Sequence, residues 1–188
     1  LSALTATKPR WPDSTRGVSE LRLSLRVRPK GLLSGLQGAR TIHIDIVDYP
    51  GEWLLDLGLL DKSFAEWSAE TLARTSARDE GESYNAVLKE TDPSAKLDEA
   101  TAARLARAFT EYLTNARASG YSDCTPGRFL LPGDLKGSPA LTFAPLSPGA
   151  APRGSLAREF ERRYEAYKRR VVTPFFRDHF ARIDRQIV

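Results

Sequence analysis

Residues 41–51 read TIHIDIVDYPG. Isoleucine alternates with polar residues through the first half of this stretch, and a period of two is typical of a β-strand. Pro50 cannot donate to a strand ladder and Gly51 permits a turn, so the strand is predicted to end at Asp48. The stretch therefore predicts a strand that delivers an Asp-x-x-Gly motif at its carboxyl end.

A second strand is predicted upstream, because leucine or valine alternates with arginine or serine over residues 21–27. This pattern predicts a half-buried strand, and the Gly-rich residues 29–40 would connect it to the strand at 41–48. Val47 interrupts the strict alternation of residues 41–48, as expected where a strand moves toward the middle of a sheet and is covered on both faces.

Helices are predicted beyond Gly51. Apolar residues at helical spacing lie behind Asp61 or Ser63 as a cap, and a second helix is predicted to begin near Asp98 and to end at Gly120. Both patterns are typical of amphipathic core helices.

The remainder divides into an irregular stretch and a long helix. Residues 121–152 are dense in Pro and Gly, which predicts irregular structure with short strands at 129–131 and 141–143. A regular apolar stripe starts at Ser155, and Pro174 is expected to end or kink that helix. A last strand is predicted to start at Asp184.

The composition describes a globular chain with few options for metal or disulfide chemistry. The 188 residues include one cysteine, Cys124, and two histidines, and contain no run of apolar residues long enough for a membrane span. A cytoplasmic protein without a transmembrane segment is expected. The chain contains no methionine and its last residues look like a strand cut short, so we expect an internal piece of a longer protein.

The Asp-x-x-Gly motif has a chemical meaning at the end of a strand. In phosphate-transferring switch proteins an aspartate there holds Mg²⁺, and the glycine amide approaches the terminal phosphate because no Cβ obstructs it. Asp48 is also compatible with the ordinary polar end of a strand. The same spacing recurs from Asp134 to Gly137, where it follows Pro-Gly and is interpreted as a turn.

The order of features along the chain favours the switch interpretation. Thr15 lies in a predicted loop before the strand at 21–27, and the strand that ends at Asp48 follows after one connection. Switch proteins use this order, with a mobile threonine that binds Mg²⁺ and senses the terminal phosphate. Taken alone, Thr15 is compatible with an ordinary loop threonine.

Four blocks of sequence closely resemble the bacterial YcjX-like proteins, and they occur in the order found in that family. They are WP and TRGVSE at 11–12 and 15–20, IVDYPGEWLLDL at 46–57, PGRF and LPGD at 126–129 and 131–134, and DRQIV at 184–188. The resemblance implies a P-loop NTPase that binds guanine nucleotide and hydrolyses GTP with Mg²⁺, in a cytoplasmic protein connected with the phage-shock envelope-stress response. A protein partner at the inner membrane, with peripheral association there, is also expected.

Site residues follow from the resemblance at matching positions. Thr15 would be the first switch threonine and a Mg²⁺ ligand, Asp48 the Mg²⁺ aspartate, and Gly51 the phosphate-sensing amide. Glu52 stands where Ras-like proteins have a glutamine that orients the attacking water, and an exposed turn glutamate is the alternative. Arg16 is a candidate charge-stabilising arginine.

Two family features are absent from the chain. It contains no Gly-x-x-x-x-Gly-Lys-Ser/Thr phosphate loop and no Asn/Thr-Lys-x-Asp motif for reading the base. The chain alone is therefore expected to be inactive, with the GTPase activity belonging to the full-length protein.

The predicted fold is α/β, a partial P-loop NTPase three-layer fold with a large α-helical insertion. Residues 1–53 would form the switch region and two core strands, residues 54–183 a mainly helical insertion, and residues 184–188 the start of the next core strand.

A non-enzymatic adaptor is the alternative function. Residues 155–188 hold nine Lys or Arg against five Asp or Glu, so the inserted helices and this basic tail could bind a partner protein or a membrane surface. Nucleic-acid binding is not expected, because glutamates interrupt the basic run.

Overall fold

The computed structural model describes residues 17–28, 39–147, 151–178, 181 and 183–185. The chain divides into two compact units, Leu1–Pro50 and Gly51–Val188, and each is described by itself. Thr15, Arg16 and His179 lie outside the described residues, as does part of the predicted connection at 29–40.

The first unit contains a two-stranded antiparallel sheet. Strand β1 spans Ser19–Val27 and strand β2 spans Arg40–Asp48, with Ser19 opposite Asp48 and Val27 opposite Arg40. Both predicted strands are therefore confirmed, including the end of the second at Asp48.

The register places the leucines of β1 and the isoleucines of β2 on one face, and Val47, opposite Glu20, on the other. Leu21, Leu23 and Leu25 stand opposite the three isoleucines of β2, and the polar face carries an ion pair of 2.5 Å between Arg22 and Asp45. The apolar side chains are 39–55% exposed, so they are less covered than the half-buried strand prediction implied. Val47, from which coverage on both faces was predicted, is partly buried, whereas the other residues of β2 are exposed.

The second unit is helical. A 3₁₀ segment, Gly51–Leu59, leads into helices α1 (Phe64–Ala77), α2 (Glu82–Lys89), α3 (Glu99–Ala118), α4 (Gly127–Leu130), α5 (Leu156–Tyr167) and α6 (Thr173–Asp178). Short 3₁₀ turns at Asp79–Gly81, Gly133–Leu135 and Pro139–Leu141 join some of them, and a π-helical turn, Lys168–Val172, joins α5 to α6. No helix in the described part of the chain is both long and apolar enough to cross a membrane.

The predicted helix ends agree with the structure. The Ser63 hydroxyl accepts the amide of Glu66 while the Glu66 carboxylate reaches back to the Ser63 amide, which caps α1. Asp98 caps α3 through the Thr101 amide at 2.8 Å. Gly120, with φ of +95°, follows the end of α3 in the left-handed conformation that favours glycine.

An aromatic core holds the helices together. The Trp67 ring stacks on that of Tyr164 with centroids 5.0 Å apart, and it meets Phe109 and Phe143 edge-on at 5.8 and 5.7 Å. Aromatic pairs in these geometries add stabilisation beyond the burial of their area. The rings come from α1, α3, α5 and the 141–147 segment, so one cluster joins distant parts of the sequence.

Three predictions for the later chain differ from the structure. The short strands expected at 129–131 and 141–143 are absent: α4 occupies Gly127–Leu130, and Phe143 is a buried residue of an irregular segment. These apolar runs supply core side chains without strand partners.

The regular helix from Ser155 ends at Tyr167, before Pro174. Pro174 lies in the first turn of α6, where a missing N–H costs little. Asp184 and Arg185 are described outside any strand.

Candidate functional site

Asp48 is the last residue of β2 and its side chain is exposed. The ladder holds its backbone opposite Ser19, so the position of the carboxylate is set by a paired strand rather than by a free loop. The chain enters the second unit at Gly51, three residues later. The strand end thus presents the carboxylate that the motif requires.

Gly51 opens the 3₁₀ segment with empty space where a side chain would be. A Cβ built on Gly51 would meet no atom within 4 Å, and its φ lies outside the left-handed region. Neither packing nor backbone conformation of the described chain therefore requires glycine at this position. The open approach to its amide is the property that phosphate sensing would use.

Within the second unit, the Glu52 side chain points toward α3. Its carboxylate Oε1 lies 3.6 Å from Nη2 of Arg117 in the last turn of α3, and the Glu52 side chain is only 15% exposed. The alternative of an exposed turn glutamate does not describe this side chain. A water-positioning role is not tested by this geometry and stays a prediction.

At the end of β2, Asp48 offers one exposed carboxylate as a donor for a divalent cation. No group of three or more His, Cys, Asp or Glu side chains is close enough to hold a metal ion within residues 17–28, 39–147 and 151–178. Mg²⁺ commonly uses one or two carboxylates together with substrate phosphates and waters, so a single exposed carboxylate fits it. A site built from protein ligands alone does not fit the described residues.

A buried acidic residue missed by the sequence analysis lies five residues beyond Gly51. Asp56 is 2% exposed, and its carboxylate accepts the amide of Gly127 at 2.7 Å, the amide of Arg128 at 3.4 Å and the hydroxyl of Tyr167 at 2.6 Å. These donors come from α4 and α5. Asp56 therefore links the 3₁₀ segment to α4 and α5 by hydrogen bonds.

Burial dominates the electrostatics of Asp56. Removal from water raises the pKa of its carboxyl to about 6, although the hydroxyl of Tyr167, the two amides and the nearby Arg128 charge all act to lower it. Burial and the neighbouring carboxylate also raise the pKa of the Tyr167 hydroxyl well above its ordinary value.

Trp53 fastens the same segment a second time. Its indole N–H donates to the carbonyl of Leu131 at 2.8 Å, and the Arg128 guanidinium lies 3.3 Å from the centre of its ring. Arg128 also donates to Asp134 at 3.0 Å. The blocks at 46–57, 126–129 and 131–134, which carried the family resemblance, thus meet in space around Trp53 and Asp56.

Comparison with known proteins identifies the family. The profile of the YcjX-like family, DUF463, matches residues 1–188. The chain belongs to the YcjX-like family. It is 40% identical over 200 aligned positions to the "Ras-like GTPase YcjX" of Shewanella oneidensis, and 39% identical over 200 positions to the protein of the same name in Escherichia coli (strain K12).

The YcjX-like relatives are longer than this chain. The matches cover 99% and 100% of the chain but 41% and 43% of the two relatives, so the chain spans less than half the length of either protein. The resemblance expected from the sequence blocks is confirmed, and both relatives are named Ras-like GTPases.

One signal for the Asp56 cluster was present in this YcjX-like sequence. Asp56 is an acidic residue in the otherwise apolar run WLLDLGLL at 53–60, and a charge inside such a run is uncommon unless it has partners. Tyr167 belongs to the apolar stripe of α5 and carried no separate signal. Their pairing across 111 residues could not be inferred from spacing.

Replacing Asp56 is expected to change the pH dependence of stability. The folded pKa of about 6 exceeds the ordinary 3.8, so the contribution of Asp56 is complete below about pH 4 and is lost as the pH rises through 6. Over that window the free energy of unfolding should fall by about 3 kcal/mol more in the wild type than in Asp56→Asn. Urea unfolding followed by tryptophan fluorescence between pH 4 and 8 measures this difference.

Tyr167→Phe provides the companion variant. Loss of the hydroxyl donor removes a contact that lowers the pKa of Asp56. The pH at which the free energy of unfolding declines should therefore move upward. Equal pH slopes for wild type and Asp56→Asn would contradict a buried, titrating Asp56.

Proposed function

We propose that the full-length protein containing this chain binds and hydrolyses GTP with Mg²⁺ as a P-loop nucleotide switch. The observation that carries the proposal is the turn from Asp48 to Gly51, where a paired strand ends in an exposed carboxylate and a glycine follows that the described packing does not require. The names of the two relatives support the same activity.

The proposed roles follow from the chemistry of each group. Asp48 would hold Mg²⁺ through water, and the Gly51 amide would donate to the terminal phosphate. Thr15 would complete the Mg²⁺ site, Glu52 would orient the attacking water, and Arg16 would stabilise developing charge. The bound Mg²⁺ would neutralise charge on the phosphate oxygens.

The sheet is proposed to belong to a three-layer P-loop core. A two-stranded hairpin is marginally stable alone, and the apolar face of β1 and β2 exposes side chains of strand-forming residues. We propose that further strands and helices of the full-length protein cover this face. The greater length of the relatives supports the presence of such elements.

The 3₁₀ segment is the proposed mechanical link between nucleotide and helices. Movement of the Gly51 amide toward a terminal phosphate would pull on a segment that Trp53 and Asp56 fasten to α4 and α5. The helical unit would therefore move with the switch turn, which is the type of loop transition that other nucleotide switches use.

An adaptor remains the second candidate, acting at a protein partner or the inner membrane in an envelope-stress response. Arg169 and Arg170 are exposed in the π-helical turn, which supports a docking role. Other basic side chains of the tail form ion pairs with nearby glutamates, as in Arg158 with Glu161 and Arg162 with Glu159. That pairing reduces the free positive charge available to an acidic surface, so the GTPase proposal is favoured.

Equilibrium binding of labelled GTP and ATP to the full-length protein tests the proposal. We expect GTP to bind more tightly than ATP, and phosphate release to require Mg²⁺ and to stop when EDTA is added. Absence of both binding and turnover would exclude the GTPase, and partner binding unchanged by GTP would favour the adaptor.

Gly51→Ala sharpens the same experiment. The added methyl has free space in the described chain, so the unfolding midpoint should stay unchanged while GTP turnover falls. Wild-type turnover in Gly51→Ala would contradict the proposed phosphate-sensing role of the Gly51 amide.

A further inference from the structure

The residue after the candidate phosphate-sensing glycine is held at its backbone by the helical unit. A Cβ on Gly127 would come within 1.7 Å of the carbonyl oxygen of Glu52, so the Glu52 backbone lies directly against α4. The next residue, Trp53, is fixed through the carbonyl of Leu131. Little freedom is left for Glu52 except in its side chain.

That side chain is restrained as well. Arg117 approaches the Glu52 carboxylate to 3.6 Å, and the neighbouring α3 residues Leu113 and Ala116 are buried in the core. Arg117 therefore projects from a helix anchored by packing. Its own side chain is 51% exposed, whereas that of Glu52 is 15% exposed, so the arginine lies on the solvent side of the pair.

A carboxylate beside a triphosphate has an electrostatic problem. Unpaired, it is repelled by the phosphate oxygens and turns away from them. A guanidinium within ion-pair distance offsets this charge and limits the rotamers of the glutamate, which leaves one carboxylate oxygen in a fixed place as an acceptor for water. Arg117 supplies these two effects from outside the switch turn.

We propose that Arg117 is a positioning residue for Glu52, so that the helical unit completes the hydrolytic site by orienting its water-binding carboxylate. The proposal rests on the proposed GTPase function. It gives the insertion after Gly51 a direct part in hydrolysis, in addition to moving with the switch turn.

A double-mutant cycle in the full-length protein tests this. Arg117→Ala should lower single-turnover GTP hydrolysis about tenfold, within the range found for coupled neighbours, without changing the Kd for labelled GTP. The same substitution in a Glu52→Gln background should cause no further loss, because Arg117 acts through the Glu52 charge. Arg117→Lys should recover part of the rate.

Arg107 provides the matched control. It lies on the same helix, is exposed, and forms no ion pair with the described residues, so Arg107→Ala should behave as the wild type. A readout independent of activity is the unfolding midpoint, in which Arg117→Ala and Glu52→Gln should be non-additive if the pair is formed.

Several results would overturn the assignment. Wild-type or faster turnover in Arg117→Ala would exclude positioning, and an equal loss in the Glu52→Gln background would show that Arg117 acts independently of the Glu52 charge. If Asp48→Ala slows turnover while Arg117→Ala does not, this inference alone fails. If the wild type does not hydrolyse GTP, both proposals fail together.

Discussion

Asp48→Ala is expected to reduce Mg²⁺-dependent GTP turnover by the full-length protein by at least about 100-fold. The substitution removes the carboxylate at the end of β2, and no cluster of three potential ligands among the described residues could replace it. Because Asp48 is exposed and its backbone stays in the ladder, the fold should persist. Steady-state phosphate release across a Mg²⁺ titration measures the loss.

Asp45→Ala is the matched control for that experiment. Asp45 lies on the same strand and is exposed, and its partner Arg22 is also on the surface, where ion pairs contribute little. Turnover should stay near the wild-type rate. Equal losses in the two variants would indicate damage to the strand rather than loss of a ligand, and full turnover in Asp48→Ala would exclude the proposed role of Asp48.

Local patterns were sufficient for the parts of the fold that depend on neighbours in sequence. Alternation over residues 21–27 and 42–46 predicted both strands. Asp61 or Ser63 and, later, Asp98 predicted two helix starts, because capping is decided within one turn. The Asp-x-x-Gly turn was found in the same way. Each of these features is fixed by residues that are at most a few positions apart.

The unpredicted parts depend on contacts across long distances in sequence. The apolar run at 141–143 resembled a strand, yet Phe143 is buried edge-on against the stacked rings of Trp67 and Tyr164 and needs no ladder. Asp56 is held by hydrogen bonds from Gly127 and Tyr167, which are 71 and 111 residues away in sequence. Single-sequence periodicity carries no information on such pairings, so tertiary context overrides the local preference.

Gly127→Ala should give the largest loss of stability of the proposed substitutions, at least about 3 kcal/mol in the free energy of unfolding. The new Cβ would come within 1.7 Å of the Glu52 carbonyl oxygen and 2.5 Å of its carbon, and two backbones must separate to admit it. That separation would also stretch the hydrogen bond that the Gly127 amide donates to the Asp56 carboxylate. Urea unfolding monitored by tryptophan fluorescence reports the loss directly, because Trp53 and Trp67 both lie in this unit.

Gly58→Ala is the control within the same 3₁₀ segment. A Cβ at Gly58 would meet no atom within 4 Å, so the substitution should change stability by no more than about 0.5 kcal/mol. If Gly127→Ala were equally mild, the close contact between the Glu52 backbone and α4 would be contradicted. If it is severe, as expected, the loss shows that the 3₁₀ segment rests on α4 through the close approach of the Gly127 and Glu52 backbones.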